Sequence, residues 1–105
     1  MNILFPTWKS FGVEDIKETF EELGHKVSLY EREPKNYRID PRYKSEIKKY
    51  IKENDIDAVF TSNYYPVISD GCNDLKIPYL SWCYDSPLIL TYSKSVFNEV
   101  NRIFI

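Results

Sequence analysis

Two rhythms of apolar and polar residues alternate along this chain. Short, almost continuously apolar runs read as strands of a buried parallel sheet: Asn2-Ile3-Leu4-Phe5, Lys26 to Tyr30, Ile56 to Thr61, Ile77 to Trp82, and Arg102 to Ile105. Between them the apolar residues recur at helical spacing. Val13, Ile16, Phe20 and Leu23 share one stripe, Glu14 and Asp15 sit in the first turn where the helix dipole favours acids, and Gly24 is a left-handed terminator. Asp40 is an N-cap and Pro41 a first helical residue for a second helix, whose stripe is Tyr43, Ile47, Tyr50 and Ile51 and whose end is Asn54. Pro66 opens a third helix with Ile68, Cys72 and Leu75 inward. Cys83 to Tyr92 reads as a loop and Ser95 to Asn101 as a short helix.

Strands alternating with helices imply right-handed parallel crossovers and helices on both sheet faces. The expected fold is α/β, a Rossmann-like open parallel sheet of about five strands in the order 3-2-1-4-5, with 2-1-3-4-5 as the alternative. The chain enters its fifth strand with no closing helix. Residues 1–105 are therefore expected to be a single Rossmann-like domain, incomplete at the C-terminus and an N-terminal fragment of a two-domain protein. The last strand would be covered by that missing C-terminal domain or by a second subunit.

Composition narrows the picture a little further. In 105 residues, 43% hydrophobic and 29% charged is a globular balance, and 9 Tyr, 6 Phe and 2 Trp let a short chain fill its core with rings. A net charge of -2 selects no partner at long range. No apolar run is long enough to span a membrane, and no signal peptide precedes the first strand, so a cytoplasmic protein with reduced cysteines is expected. Cys72 and Cys83 match no zinc spacing and His25 stands alone, so no metal is expected; a Cys72–Cys83 disulfide is the alternative to two free thiols. The stretch from Arg32 to Lys52 holds eight of the fourteen basic residues, but Lys44, Lys48 and Lys52 repeat every four residues, and Glu31, Glu33, Asp40 and Glu46 dilute the field. A solvated helix face is the better reading than a nucleic-acid surface.

Ligands of an open parallel sheet gather beyond the carboxyl ends of its strands. That rule nominates the loops Pro6 to Gly12, Thr61 to Pro66 and Cys83 to Pro87, all rich in hydroxyl, amide and aromatic groups. Rings stack on the C–H faces of sugars while amides and hydroxyls bond their alcohols, so a sugar or polyol suits this mixture. Candidate substrate-binding residues are Thr7, Trp8, Lys9, Ser10, Asn63, Tyr64, Trp82 and Tyr84. The first loop could equally be a plain connection with Trp8 or Phe11 folded over the core. It contains neither G-x-G-x-x-G nor a Walker motif, and Glu14 and Asp15 oppose an anion there. Asp85 is the candidate catalytic base, a carboxylate beside Trp82, Tyr84 and Pro87; Asp-Ser-Pro is also an ordinary turn in which the side chain caps backbone N–H groups.

Leu23-Gly24-His25-Lys26-Val27, Asp57 to Tyr64 and, most specifically, Ile77-Pro78-Tyr79-Leu80-Ser81-Trp82-Cys83-Tyr84-Asp85-Ser86-Pro87 carry a family resemblance that covers essentially the whole chain. The sequence resembles the N-terminal domain, itself of unknown function, of CgeB-like proteins, a bacterial glycosyltransferase-like family first tied to spore maturation. The resemblance implies a two-domain transferase of the GT-B type, in which the front domain holds the acceptor and the rear domain binds the nucleotide-sugar. It implies no cofactor in this chain, a weakly held sugar or polyol acceptor, and no activity for residues 1–105 alone. The rival reading is a non-catalytic doubly wound α/β module that binds a small ligand or a protein.

Overall fold

The computed structural model describes residues 1–8, 12–82 and 97–104. In chain order the elements are β1 (Asn2–Pro6), α1 (Val13–Glu22), β2 (Lys26–Tyr30), α2 (Pro41–Glu53), β3 (Ala58–Thr61), α3 (Pro66–Leu75), β4 (Tyr79–Trp82) and β5 (Asn101–Phe104). The five strands form one sheet, every neighbouring pair parallel, in the order β2-β1-β3-β4-β5. The expected α/β Rossmann-like sheet is therefore present, with the alternative strand order in place of 3-2-1-4-5.

The strands themselves explain that order. All four residues of β3 are buried, so β3 needs a neighbour on both edges and a layer on both faces. β2 carries exposed Lys26 and half-buried Ser28 and Tyr30, a composition that suits an edge. The order 3-2-1-4-5 would have exchanged these two environments.

Because β2 lies on one side of β1 while β3 and β4 lie on the other, right-handed connections send α1 to one face and α2 and α3 to the opposite face. Side chains follow with period two. Ile3 and Phe5 of β1 join Val27, Phe60 and the apolar stripe of α1, whereas Leu4 joins Val59, Tyr79 and the stripes of α2 and α3. Asp40 caps α2 by accepting from the Tyr43 N–H at 3.1 Å, and Pro41 follows as expected. α2 and α3 pack closely at Gly71, where an added Cβ would lie 3.4 Å from Cγ of Lys44. Lys44 and Lys48 both pair with Asp74 of α3, Arg32 and Arg42 pair with Glu46, and Lys49 pairs with Glu53. Much of the basic stretch thus serves helix packing and surface pairing.

Several details depart from the sequence reading. Leu23 lies outside its stripe, 68% exposed at the C-cap of α1. Phe20 is only half-buried, edge-on to Phe60 with ring centroids 5.2 Å apart, because α1 covers β1 and β2 but reaches only the near side of β3. The helix expected over 95–101 is replaced, among its described residues, by a single 3₁₀ residue and a turn; β5 has already begun at Asn101. That turn is fixed by Asn98, whose Nδ2 donates to Ser69 and Asp70, and by Ser69, whose hydroxyl donates to Asn101. Cys72 is a free, buried thiol whose pKa burial drives upward, while Cys83 lies outside the described residues. Among the described residues no helix is long and apolar enough to cross a membrane.

The unequal cover of the two faces has a measurable consequence. Ile47→Ala, at a fully enclosed site, is expected to cost about 2–5 kcal/mol in denaturant melts. Phe20→Ala is expected to cost about 1–2 kcal/mol, since the ring is only partly enclosed. Equal losses would contradict the asymmetry.

Candidate functional site

The connections leaving β1 and β3 run in opposite directions, so the crevice at their carboxyl ends is the switch point of the sheet. Ile3 is level with Ala58 and Leu4 with Val59, and Thr7 and Ser62 are the residues that directly follow β1 and β3 at this end of the sheet. Thr7 is 6% exposed and Ser62 5%, yet neither Oγ has a hydrogen-bond partner. A buried hydroxyl without a partner is costly; Thr7 and Ser62 carry two at this end of the sheet, and Tyr43 in the core carries a third.

Residues around this pair are held rigidly. Tyr79, fully buried, accepts from the Tyr65 N–H at 3.1 Å and lies 2.6 Å from Thr61 Oγ1. Thr61 in turn gives its hydroxyl proton to the Asn63 carbonyl, which leaves Tyr79 as the donor to Thr61. Ser81 donates to the same carbonyl at 2.8 Å. Burial pushes the Tyr79 pKa well up, so the phenol stays protonated and can serve as that donor. Two hydroxyls, one from β3 and one from β4, thus hold the Asn63 carbonyl, and Asn63 keeps a φ of 148°, a region that residues other than glycine seldom occupy.

On the other side of the crevice Trp8, Tyr37 and Tyr65 form a three-ring cluster with centroids 4.9–5.9 Å apart. It joins the end of β1 to the β2–α2 and β3–α3 connections. Trp8 Nε1 donates to the Tyr37 hydroxyl at 3.4 Å, and that hydroxyl donates to Glu33 Oε2 at 2.5 Å. The Glu33 carboxylate raises the pKa of Tyr37 and keeps it a donor.

Between the cluster and α1 an open cleft of about 540 Å³ is lined by Thr7, Trp8, Val13 and Leu29 together with Glu14, Glu31 and Glu33. α1 begins there at Gly12, a left-handed residue at φ 73° that supplies no side-chain cap. Glu14 and Asp15 occupy the first turn, so the positive end of the helix already faces carboxylates. The arrangement can accept hydrogen bonds from alcohols or amines and offer an indole surface; it is poorly suited to a phosphate.

Of the sequence-predicted site residues, Thr7 and Trp8 meet in this cleft, and Asn63 stands at the neighbouring strand end. Tyr64 is a core residue, 2% exposed, tilted against Tyr79 and accepting from Asn101 Nδ2. Trp82 is 46% exposed and lines a different groove, with Phe20 and Phe60 over the far half of the sheet. Lys9, Ser10, Tyr84 and Asp85 lie outside the described residues. The sequence reading missed Glu31 and Glu33, although both directly follow β2 and the strand-end rule that chose the other loops applies to them equally. Among the described residues no cluster of His, Cys, Asp and Glu could hold a metal ion. Compared with known proteins, the chain matches no family model and no curated sequence significantly.

The unpartnered hydroxyl can be tested without a ligand. Thr7→Val is expected to leave stability unchanged or to raise it by up to about 1 kcal/mol, since it removes an unsatisfied group at nearly constant shape. Thr61→Val, which breaks the chain from Tyr79 to Asn63, is expected to cost about 1–3 kcal/mol. Equal destabilisation in urea melts would mean that the Thr7 hydroxyl is bonded after all.

Proposed function

We propose that this chain is the acceptor-binding half of a cytoplasmic, bacterial glycosyltransferase of the GT-B arrangement, with a second α/β unit holding the nucleotide-sugar. The observation that carries the reading is the pair of buried, unpartnered hydroxyls on Thr7 and Ser62 at the switch point, beside a cleft lined by an indole and three carboxylates. A polyhydroxylated ligand answers each part of that site. Its alcohols complete Thr7 and Ser62, its C–H faces lie on Trp8, and the glutamates accept its remaining O–H groups. Acids in the first turn of α1 oppose a diphosphate, which supports assigning the nucleotide to the other unit. The resemblance to CgeB-like N-terminal domains supplies the transferase class, and Asp85 is the base that reading would use.

A binding module without catalysis is the second reading, favoured because this chain's own strand ends and first helix are enough to form the cleft. Turnover by the complete protein of a nucleotide-sugar with an added acceptor separates the two.

Binding itself is tested by NMR titration of the chain with glucose and with uridine diphosphate glucose. Glucose is expected to shift the amides of Thr7, Trp8, Ser62 and Asn63 with a Kd on the order of millimolar, about -4 kcal/mol. The nucleotide is expected to add no affinity beyond that of its sugar. Micromolar nucleotide binding at the start of α1 would overturn the acceptor assignment.

A further inference from the structure

The cleft carries more negative charge than a neutral sugar needs. Glu14, Glu31 and Glu33 line it together, from the first turn of α1 and from the chain just beyond β2. Among the described residues no lysine or arginine lines it or pairs with any of the three. The nearest arginine in sequence, Arg32, is engaged with Glu46 instead. Glu33 is oriented by the Tyr37 hydroxyl through one oxygen, which leaves the other for a ligand. All three residues are exposed, so an incoming cation can reach their carboxylates.

Two features beyond the carboxylates point to what enters. Thr7 lines the same cleft with a nine-tenths buried hydroxyl that has no partner, and such an oxygen accepts readily from an ammonium N–H. Trp8 adds an indole, the aromatic group with the strongest attraction for cations. We infer that the cleft formed by Thr7, Trp8, Glu14, Glu31 and Glu33 recognises an ammonium group on a polyhydroxylated ligand, so that its preferred occupant is an amino sugar rather than a neutral or phosphorylated one. This deepens the acceptor reading and rests on it. The Thr7 hydroxyl and a glutamate oxygen take ammonium N–H donors, and the remaining glutamates accept from the alcohols of the same ligand.

The test compares glucosamine, glucose and glucose 6-phosphate on the same chain below neutral pH, with the Trp8 indole and Thr7 amide resonances as reporters. Glucosamine is expected to bind about five- to tenfold more tightly than glucose, with added salt narrowing the gap, and glucose 6-phosphate more weakly than both. Glu31→Gln is expected to weaken glucosamine about five- to tenfold, bringing it close to glucose, and to weaken glucose by less, since a neutral amide oxygen still accepts from an alcohol; Glu33→Gln serves as the second variant should the first fail to fold. Equal affinity for glucosamine and glucose at these resonances would overturn the amine inference and leave the acceptor reading standing. If neither sugar moves them, both readings fall. Tighter binding of the phosphate would overturn the inference by reversing its sign.

Discussion

Because β1 and β3 are neighbours whose connections leave in opposite directions, a crevice opens at their carboxyl ends that no helix crosses. The rest of the molecule follows from that constraint. Among the described helices it puts α1 on one face and packs α2 against α3 on the other, where Leu4, Val59 and Tyr79 meet Ile47, Ile68 and Cys72. It also makes the ends of β1, β2 and β3 the rim on which side chains can converge. Tyr79, Thr61, Asn63 and Ser81 form a fully bonded set beneath that rim, and this set holds the end of β3 in an otherwise unfavourable conformation.

Thr7 and Ser62 differ from that set in one respect. They are as buried as their neighbours, but their hydroxyls end without partners. A sequence shaped for stability alone would carry valine and alanine there, so the cost is best understood as part of a binding surface. The exposed carboxylates of Glu14, Glu31 and Glu33 add acceptors at the neighbouring cleft, suited to something positive or rich in O–H and N–H donors. Trp8 connects both features, because it lines the cleft and is braced from behind by Tyr37 and Tyr65.

The elements were legible wherever local chemistry decided them. Asp40-Pro41, Gly24 and the stripe through Ile47 set helix ends and an inner face without help from the rest of the fold. The strand order demanded a comparison between strands, polar Lys26 and Ser28 against the wholly buried Ala58 to Thr61, and the preferred order neglected it. Tyr64 and Trp82 were misplaced for a related reason. Both are rings near a strand end, but Tyr64, beyond β3 and the positive φ of Asn63, packs in the core with α3, and alternation in β4 turns Trp82 toward the α1 side; neither borders the cleft. Glu31 and Glu33 were weighed only as charges diluting the basic stretch from Arg32 to Lys52, and not as residues at the carboxyl end of β2.

The proposed ligand enters at Trp8 and not at the exposed Trp82 groove. The chain has only these 2 tryptophans, so Trp82→Phe isolates the emission of Trp8. Titrating that variant with glucosamine, under selective excitation of tryptophan, is expected to change the emission with the same midpoint as in the unsubstituted chain. Emission that stays constant in Trp82→Phe while the unsubstituted chain responds would assign the ligand to Trp82 and contradict the account.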